Sequence, residues 1–386
     1  MTRRSRGARP CPLPRPSPTQ YRASARYWVG GNFLPPRLGR SLRPARSYAS
    51  IETCDLPVCD SAHIVSPGLG AGWGLKRQPP RVRADGVAAP ISPDRPICDY
   101  EGSRYRTEFW EGQGREYEDR AERIALHHLL PPTGDRLIEI GAGFGRLADL
   151  YAGYRQVVLL DYSRTLLAEA RQRLGADPRY LYVAADVYGL PFVPGAFDAA
   201  TMVRVIHHIA DVPAALAQIR TILKPGAVFI LEYANKRRWT AIARYLLGRQ
   251  AWNPFDPQPV EFVKLNFNFH PRWMRARLEE AGFRPERWLS VSHFRAAFLK
   301  RLIPAGLLAA ADGVLQPTGA LGQLSPSTFV RLRTPPGGPV APEGALFRCP
   351  LCGSSALAAE GQTLACPQGH RWAIREGIYD FKEPVG

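Results

Sequence analysis

Leu137-Ile138-Glu139-Ile140-Gly141-Ala142-Gly143-Phe144-Gly145-Arg146 decides the fold class of this 386-residue chain. Residues 137–140 read as a buried strand of a parallel sheet, and the turn with glycine at 141, 143 and 145 feeds a helix-patterned run over 146–151. Main chain that approaches a ligand closely has no room for side chains, which is why glycine recurs there. Glycines between a strand and a helix also serve as plain loop punctuation, so the reading depends on the strands downstream.

Sixteen residues beyond Gly145 a second strand, 156–160, ends in Asp161, placed to accept hydrogen bonds from both hydroxyls of a ribose lying over the turn. A third strand, 180–184, leads into Ala185-Asp186 and Leu190-Pro191-Phe192, and a fourth, 199–203, runs into Arg204-Val205-Ile206-His207-His208. Apolar spacing predicts a helix over 211–223, stopped by Lys224-Pro225-Gly226 before a fifth strand at 227–233. Strands alternating with helices over about a hundred residues predict a doubly wound, mostly parallel α/β sheet. A helix over 270–282 comes next. Residues 283–292 and 328–333 then form a closing antiparallel hairpin that admits helices over 295–315, giving seven strands. Ahead of the first strand, 119–130 predicts an amphipathic helix covering the ligand pocket, with Tyr105 or Trp110 near its mouth.

These residues resemble a class I S-adenosylmethionine-dependent methyltransferase, of the broad type 11-like group that modifies small molecules and RNA. Residues 139–145 match the first motif of that family, Asp161 its ribose acid, Ala185-Asp186 through Leu190-Pro191-Phe192 its adenine-side segment, and 223–227 its helix-to-strand junction. The resemblance covers roughly 105–330 and implies a Rossmann-like methyltransferase fold with S-adenosyl-L-methionine as cofactor. It puts Gly141 and Gly143 at the methionine end, with Ala142 and Gly145 in the same turn and Glu139 orienting it or meeting the cationic amine through water. Asp161 and Tyr162 fall on the ribose side, Asp186 at the adenine amino group, and Ala185 and Val187 against the ring, while Arg204 completes the cofactor shell. A nicotinamide dehydrogenase would want its third glycine at position 146; Arg146 stands there instead and argues against a dinucleotide. For an acceptor that must lose a proton, His207 is the candidate general base, set against a packing or capping role for His207 or His208.

The chain is basic, 51 Lys or Arg against 34 Asp or Glu, but unevenly so: residues 1–95 carry 16 against 5, and the remainder 35 against 29. The excess sits mostly ahead of the fold and is no evidence of nucleic-acid binding. No acid occurs up to Ser50 and prolines cluster in 10–16, so 1–95 reads as a disordered Arg/Pro-rich extension with too little apolar surface to fold. Its composition also fits an organellar transit peptide, without a clean amphipathic helix. No run of about 18 apolar residues predicts a membrane span, and no apolar core follows the arginines to make a secretory signal, so the expected location is cytoplasmic.

Seven cysteines are too few and too uneven for a disulfide framework. Three stand with a histidine near the C-terminus: Cys349 and Cys352 two residues apart, Cys366 and His370 three apart, with thirteen residues between the pairs. Two close pairs, each on a tight turn with a glycine at 353 or 369, suit a closed tetrahedral structural Zn2+ site with no position left open for catalysis. Residues 343–386 could scarcely hold their few apolar side chains together without the metal. They resemble the zinc ribbon of bacterial rRNA guanine methyltransferases, although here the ribbon follows the catalytic domain. That resemblance implies a substrate-gripping part, set against a stabilising appendix or a docking site for another protein. The chain thus divides into 1–95, a methyltransferase domain at 96–334, a Pro/Gly linker at 335–342 and the ribbon at 343–386. Cys54 and Cys59 lack a second pair and read as ordinary thiols.

Residues 235–247 set Lys236, Arg237, Arg238 and Arg244 among Trp239, Tyr245 and Leu246, at the sheet edge where acceptors bind in doubly wound folds. They read either as a surface that holds a base or phosphate, or as a solvated helix. Two functions fit the whole: methyl transfer to a small-molecule or RNA acceptor by in-line displacement, or a cofactor-binding adaptor that meets protein or RNA through its ribbon. The motifs are specific for the cofactor and nearly silent about the acceptor.

Overall fold

The computed structural model describes residues 96–385; the extension read at 1–95, with Cys54 and Cys59, lies outside the described residues. The strands are β1 (Gly134–Ile140), β2 (Tyr154–Asp161), β3 (Tyr180–Ala184), β4 (Phe197–Met202), β5 (Leu223–Ala234), β6 (Val260–Val263), β7 (Asn266–Asn268), β8 (Arg284–Val291) and β9 (Ser327–Arg333), followed by β10 (Ala358–Glu360), β11 (Thr363–Ala365), β12 (Arg371–Arg375) and β13 (Ile378–Asp380). The α-helices are α1 (Glu116–Leu129), α2 (Arg164–Leu174), α3 (Val212–Ile222), α4 (Trp239–Leu246), α5 (Pro271–Glu280), α6 (Ala297–Leu302) and α7 (Ala305–Leu315).

Strands β3-β2-β1-β4-β5 are parallel, and β9 and β8 continue the sheet antiparallel, so the seven expected strands are present in a Rossmann-like order. Strands β1 and β2 are buried along their central residues because helices cover both faces, which is what a parallel sheet demands of its apolar runs. Ile138 and Ile140 pack into one layer with Leu216 and Ile219 of α3 and Met274 of α5. Leu137 packs into the other with Ala121 and Leu126 of α1. The chain leaves β1 toward β2 on one side and reaches β4 on the other, and at this reversal a crevice opens beyond the carboxyl ends of the strands.

The helix expected at 146–151 is only a short 3-10 turn, Ala148–Tyr151. Residues 141–153 must carry the whole crossover from β1 to β2, close to the minimum for parallel strands, and a 3-10 turn rises further per residue than an α-helix. Helix α3 begins where sequence signals put it. The Asp211 carboxylate accepts from the Ala214 amide at 3.1 Å, and Pro213 occupies the first turn. Helix α1 packs Tyr117, Ala125 and Leu129 into the core instead of covering the ligand crevice.

The C-terminal segment adds four strands to the sheet, in the order β10-β11-β12-β13, and β13 pairs parallel with β3. Phe381 N donates to Ala184 O at 2.8 Å, Val193 N to Leu346 O at 2.9 Å and Arg348 N to Pro191 O at 3.0 Å. Phe347 stacks on Phe192 with centroids 5.8 Å apart and also meets Tyr379 and Phe381. The segment read as a linker runs along the sheet domain: Gly226 N donates to Pro335 O at 3.2 Å and Ala341 N to Gly195 O at 3.0 Å. The ribbon shares one core with the sheet, as Leu346, Trp372 and Phe381 pack in the cluster that holds Phe192 and Phe197.

Candidate active site

Gly141, Gly143 and Gly145 all have φ in the left-handed region, 73°, 54° and 70°. A side chain on Gly141 would meet Val205 Cγ2 at 2.1 Å, while a Cβ on Gly143 would enter open space over the crevice. The turn is pinned from below: Gly141 N and Ala142 N donate to Leu160 O at 2.7 and 2.9 Å, and Gly143 N donates to Asp161 Oδ2 at 2.8 Å. Asp161 Oδ1 accepts from Ser163 N at 2.9 Å. Burial pushes the Asp161 carboxyl up, against the pull of the Ser163 and Gly143 amides.

Of the residues read as cofactor contacts, Gly141, Gly143, Asp161, Tyr162, Ala185, Asp186, Val187 and Arg204 line one cleft at the ends of β1, β2, β3 and β4. Glu139, Ala142 and Gly145 do not line it. Gly145 serves packing, since a Cβ there would lie 3.2 Å from both Ala170 and Leu174 of α2. Glu139 is buried, its Oε2 lacks a hydrogen-bond partner, and burial pushes its carboxyl up to about 8. Leu190-Pro191-Phe192, matched by resemblance to the adenine side, instead forms the platform for the ribbon. Asp186 caps the short turn after β3, accepting from Tyr188 N at 2.9 Å.

The cleft has a cover that sequence reading missed. Pro96, Ile97, Cys98 and Tyr100 line it together with Tyr105. The cover is fastened by Glu101, whose carboxylate accepts from Arg164 N at 2.9 Å and Thr165 Oγ1 at 2.6 Å. Although burial opposes it, these bonds and Lys382 bring the Glu101 carboxyl to about 2. Trp110 does not reach the cleft; it is buried under cations, with Arg146 and Arg204 at 3.8 and 5.0 Å from its ring centroid. Arg204 adopts a left-handed φ of 60°, unusual for a bulky residue. It is held there by Glu232 Oε2, which accepts from its amide at 2.8 Å, and by Glu122 Oε1, which accepts from its Nε at 2.7 Å.

A second pocket adjoins the first and shares Tyr100, Tyr105, Arg204 and His208 with it; its further walls are Phe109, Arg115, His207, Phe262, Val263 and Asn266. Tyr105 stacks on Phe109 with centroids 5.1 Å apart. The hairpin β6–β7 that supplies Phe262 and Asn266 escaped the sequence reading, though the alternation in Val260-Glu261-Phe262 was the signal. Helix α4, read as a possible acceptor surface, lines neither pocket; Lys236 is buried, its Nζ donating to Asp256 O at 2.9 Å and Gln258 O at 2.6 Å.

His207 lines only the second pocket and is almost fully buried. Burial first, then the neighbouring His208, Arg204 and Arg295, hold it well below the ordinary imidazole range. His208 lines both pockets. Its Nδ1 lies 2.9 Å from Leu265 O, so Nδ1 carries the proton and donates, which leaves Nε2 as the acceptor, 3.4 Å from the Tyr100 hydroxyl.

In the ribbon the ligand atoms of Cys349, Cys352, Cys366 and His370 all lie within 4.8 Å of one another. Cys352 Sγ is 3.6 Å from Cys366 Sγ, and His370 Nδ1 is 3.3 Å from Cys366 Sγ and 3.6 Å from Cys349 Sγ. These separations are of the size of the edges of a tetrahedron that a cation with bonds of about 2.0–2.3 Å would fill, and the sulfurs stand too far apart for a disulfide. Gly353 and Gly369, with φ of 75° and 83°, close the two turns as the spacing implies.

Residues 138–231 match the family model described as a methyltransferase domain. The chain is 32% identical to a demethylmenaquinone methyltransferase of Clavibacter sepedonicus over 30% of its own length and 49% of that protein. It is 27% identical to a ubiquinone/menaquinone biosynthesis C-methyltransferase of Paracoccus denitrificans over 42% of its length and 72% of that protein. The chain spans about half the length of the first curated relatives it matches, 49% in each of two. A solved S-adenosylmethionine dependent methyltransferase from Mesorhizobium loti is 24% identical, with 56% of this chain and 99% of that one covered at a TM-score of 0.41. By its glycine turn, its strand order and its match to the methyltransferase-domain model over residues 138–231, the chain carries a segment of methyltransferase-domain type.

Proposed function

We propose that the chain transfers a methyl group from S-adenosyl-L-methionine to a flat aromatic small molecule by in-line displacement. The observation that carries this reading is the pair of adjoining pockets that share Tyr100, Tyr105, Arg204 and His208. One has bare main chain and two carboxylates, suited to a nucleoside with an amino-acid tail; the other has aromatic rings and arginine, suited to a planar acceptor rich in electrons or oxygen. The Clavibacter relative is named for demethylmenaquinone and the Paracoccus relative for ubiquinone/menaquinone biosynthesis, and this supports an acceptor of that general shape.

The open space over Gly143 and the Asp161 carboxylate below it fit the cofactor. Bound there, the sulfonium supplies an already activated methyl carbon, so the protein's task is alignment and exclusion of water, worth about 7 kcal/mol or more in barrier. Gly141 and Gly143 hold the methionine end, Asp161 and Tyr162 the ribose, and Ala185, Asp186 and Val187 the adenine. Tyr105 and Phe109 hold the acceptor plane. For the acceptor's proton, His207 is the candidate from sequence, whereas the geometry favours His208: its Nε2 is an acceptor by tautomer, and its ring reaches both pockets. Cys349, Cys352, Cys366 and His370 would hold a structural Zn2+, leaving no open position for catalysis.

Radiolabelled methyl transfer into a fractionated cell extract, with and without nuclease, tests the reading. Label is expected in low-mass, organic-extractable, aromatic material. Label confined to nuclease-sensitive polymer makes the acceptor RNA, and cofactor binding with no transfer makes the chain an adaptor.

A further inference from the structure

The ribbon reaches the cofactor cleft. Strand β13 pairs with β3 up to Asp380 opposite Ala184, and Ala185 and Asp186, the next residues after β3, line the cleft. From that edge three ties run inward. The Asp380 carboxylate accepts from Arg164 Nη1 at 3.1 Å, at the start of α2. Lys382 Nζ lies 4.8 Å from the ring centroid of Tyr162, a cleft residue beside Asp161. The same Nζ donates to Glu101 Oε2 at 3.3 Å, and Glu101 fastens the covering segment that brings Ile97, Cys98 and Tyr100 over the cleft.

We propose that metal in the Cys349, Cys352, Cys366 and His370 cluster sets the affinity of the cleft for its nucleoside cofactor, through Asp380 and Lys382; this rests on the cofactor and zinc readings under Proposed function. The ribbon is small, and Trp372 in β12 and Phe381 just past β13, ring centroids 5.5 Å apart, lie close to the Cys366–His370 turn that joins β11 to β12. Without a cation the two turns lose their common anchor, and β13 loses the hairpin that presents it to β3. Lys382 then leaves Tyr162 and Glu101, and the cover loses its fastening on that side. Whatever the metal contributes to ordering this wall must appear as tighter cofactor binding, and reciprocally the cofactor must tighten metal retention. The ribbon is on this account a wall of the active site, whereas the sequence alone admits only a substrate grip, a docking site or an appendix.

The test is calorimetric titration of the full chain with S-adenosylhomocysteine in zinc-loaded, chelated and re-loaded forms, alongside a zinc-loaded Lys382→Ala, Asp380→Asn double variant. Zinc removal is expected to weaken binding on the order of tenfold or more, one equivalent of zinc to restore it, and the double variant to bind several-fold more weakly while keeping its zinc. Bound nucleoside is also expected to slow zinc loss to a colorimetric chelator. The proposal is overturned by a double variant that keeps its zinc and binds as tightly as the wild type, or by chelated chain that does so. Absence of heat with zinc-loaded wild type, by contrast, sinks the cofactor reading itself.

Discussion

Arg146 and Arg204 grip opposite oxygens of one fully buried carboxylate: Arg146 Nη2 is 2.7 Å from Glu122 Oε2, and Arg204 Nε is 2.7 Å from Glu122 Oε1. Arg146 stands where a dinucleotide fold needs glycine, and Arg204 lines the cleft beyond the strand ends, so Glu122 ties the glycine turn to the end of β4 from underneath. Burial opposes ionisation of Glu122, but the two guanidinium groups hold its carboxyl below the usual range.

Removing that carboxylate leaves the buried Arg204 and the partly buried Arg146 without their shared counter-charge, Arg146 keeping Asp119. Glu122→Ala is expected to cost about 3–5 kcal/mol, read as a large drop in the midpoint of denaturant unfolding. Asp135→Ala, which breaks the exposed pair with Arg155, is expected to leave that midpoint unchanged. Equal effects would contradict the assignment of Glu122 as the keystone.

Glu139 gives a pH signature. Its carboxyl is pushed up to about 8 by burial, against about 4.3 in an unfolded chain. Between those values the unfolded state releases a proton that the folded state keeps, so stability falls as pH rises through this window. Glu139→Gln removes the dependence. The difference in unfolding free energy between variant and wild type should grow in the variant's favour from pH 5 to pH 8, by roughly 1.4 kcal/mol per pH unit at the steepest. A flat difference shows that Glu139 is ionised throughout.

His207 and His208 are adjacent but not equivalent. His208→Gln should lower kcat about a hundredfold or more and remove the acid limb of the kcat/KM profile, while His207→Asn should act mainly through stability. Burial holds His208 below the ordinary imidazole value, so that acid limb is expected below about pH 6.5 in the wild type. The reverse ranking of the two variants would restore His207 as the base.

Tyr105 and Phe109 present stacked rings to the second pocket, the one proposed for the acceptor. Phe109→Ala should raise the acceptor KM several-fold and leave cofactor affinity within twofold, since Phe109 lines only the acceptor side. Matching losses in both would mean that the two pockets are one.

The core of the fold was legible because parallel strands announce themselves as short apolar runs and glycine marks where backbone must approach a ligand. Gly141, Gly143, Asp161 and Ala185-Asp186 accordingly line one cleft at the carboxyl ends of the strands. Glu139 was misjudged for a physical reason: it alternates with Ile138 and Ile140 and its side chain points under the turn, into the layer of Tyr151 and Arg146. The cover at 96–100 carries no periodicity, and its place depends on one long-range acceptor, Glu101. Cysteine spacing disclosed which four side chains cluster in the ribbon, but nothing local to them encodes the edge pairing of β13 with β3, beside which Phe192 and Phe347 meet across a hundred and more residues.

The most direct measurement is calorimetric titration of the well-folded, zinc-loaded chain and its Asp161→Ala variant with S-adenosylhomocysteine. One-to-one binding is expected for the wild type and none detectable for the variant, which loses both the proposed ribose acid and the acceptor that pins Gly143. Equal binding by both proteins, or no heat from the wild type, would contradict it.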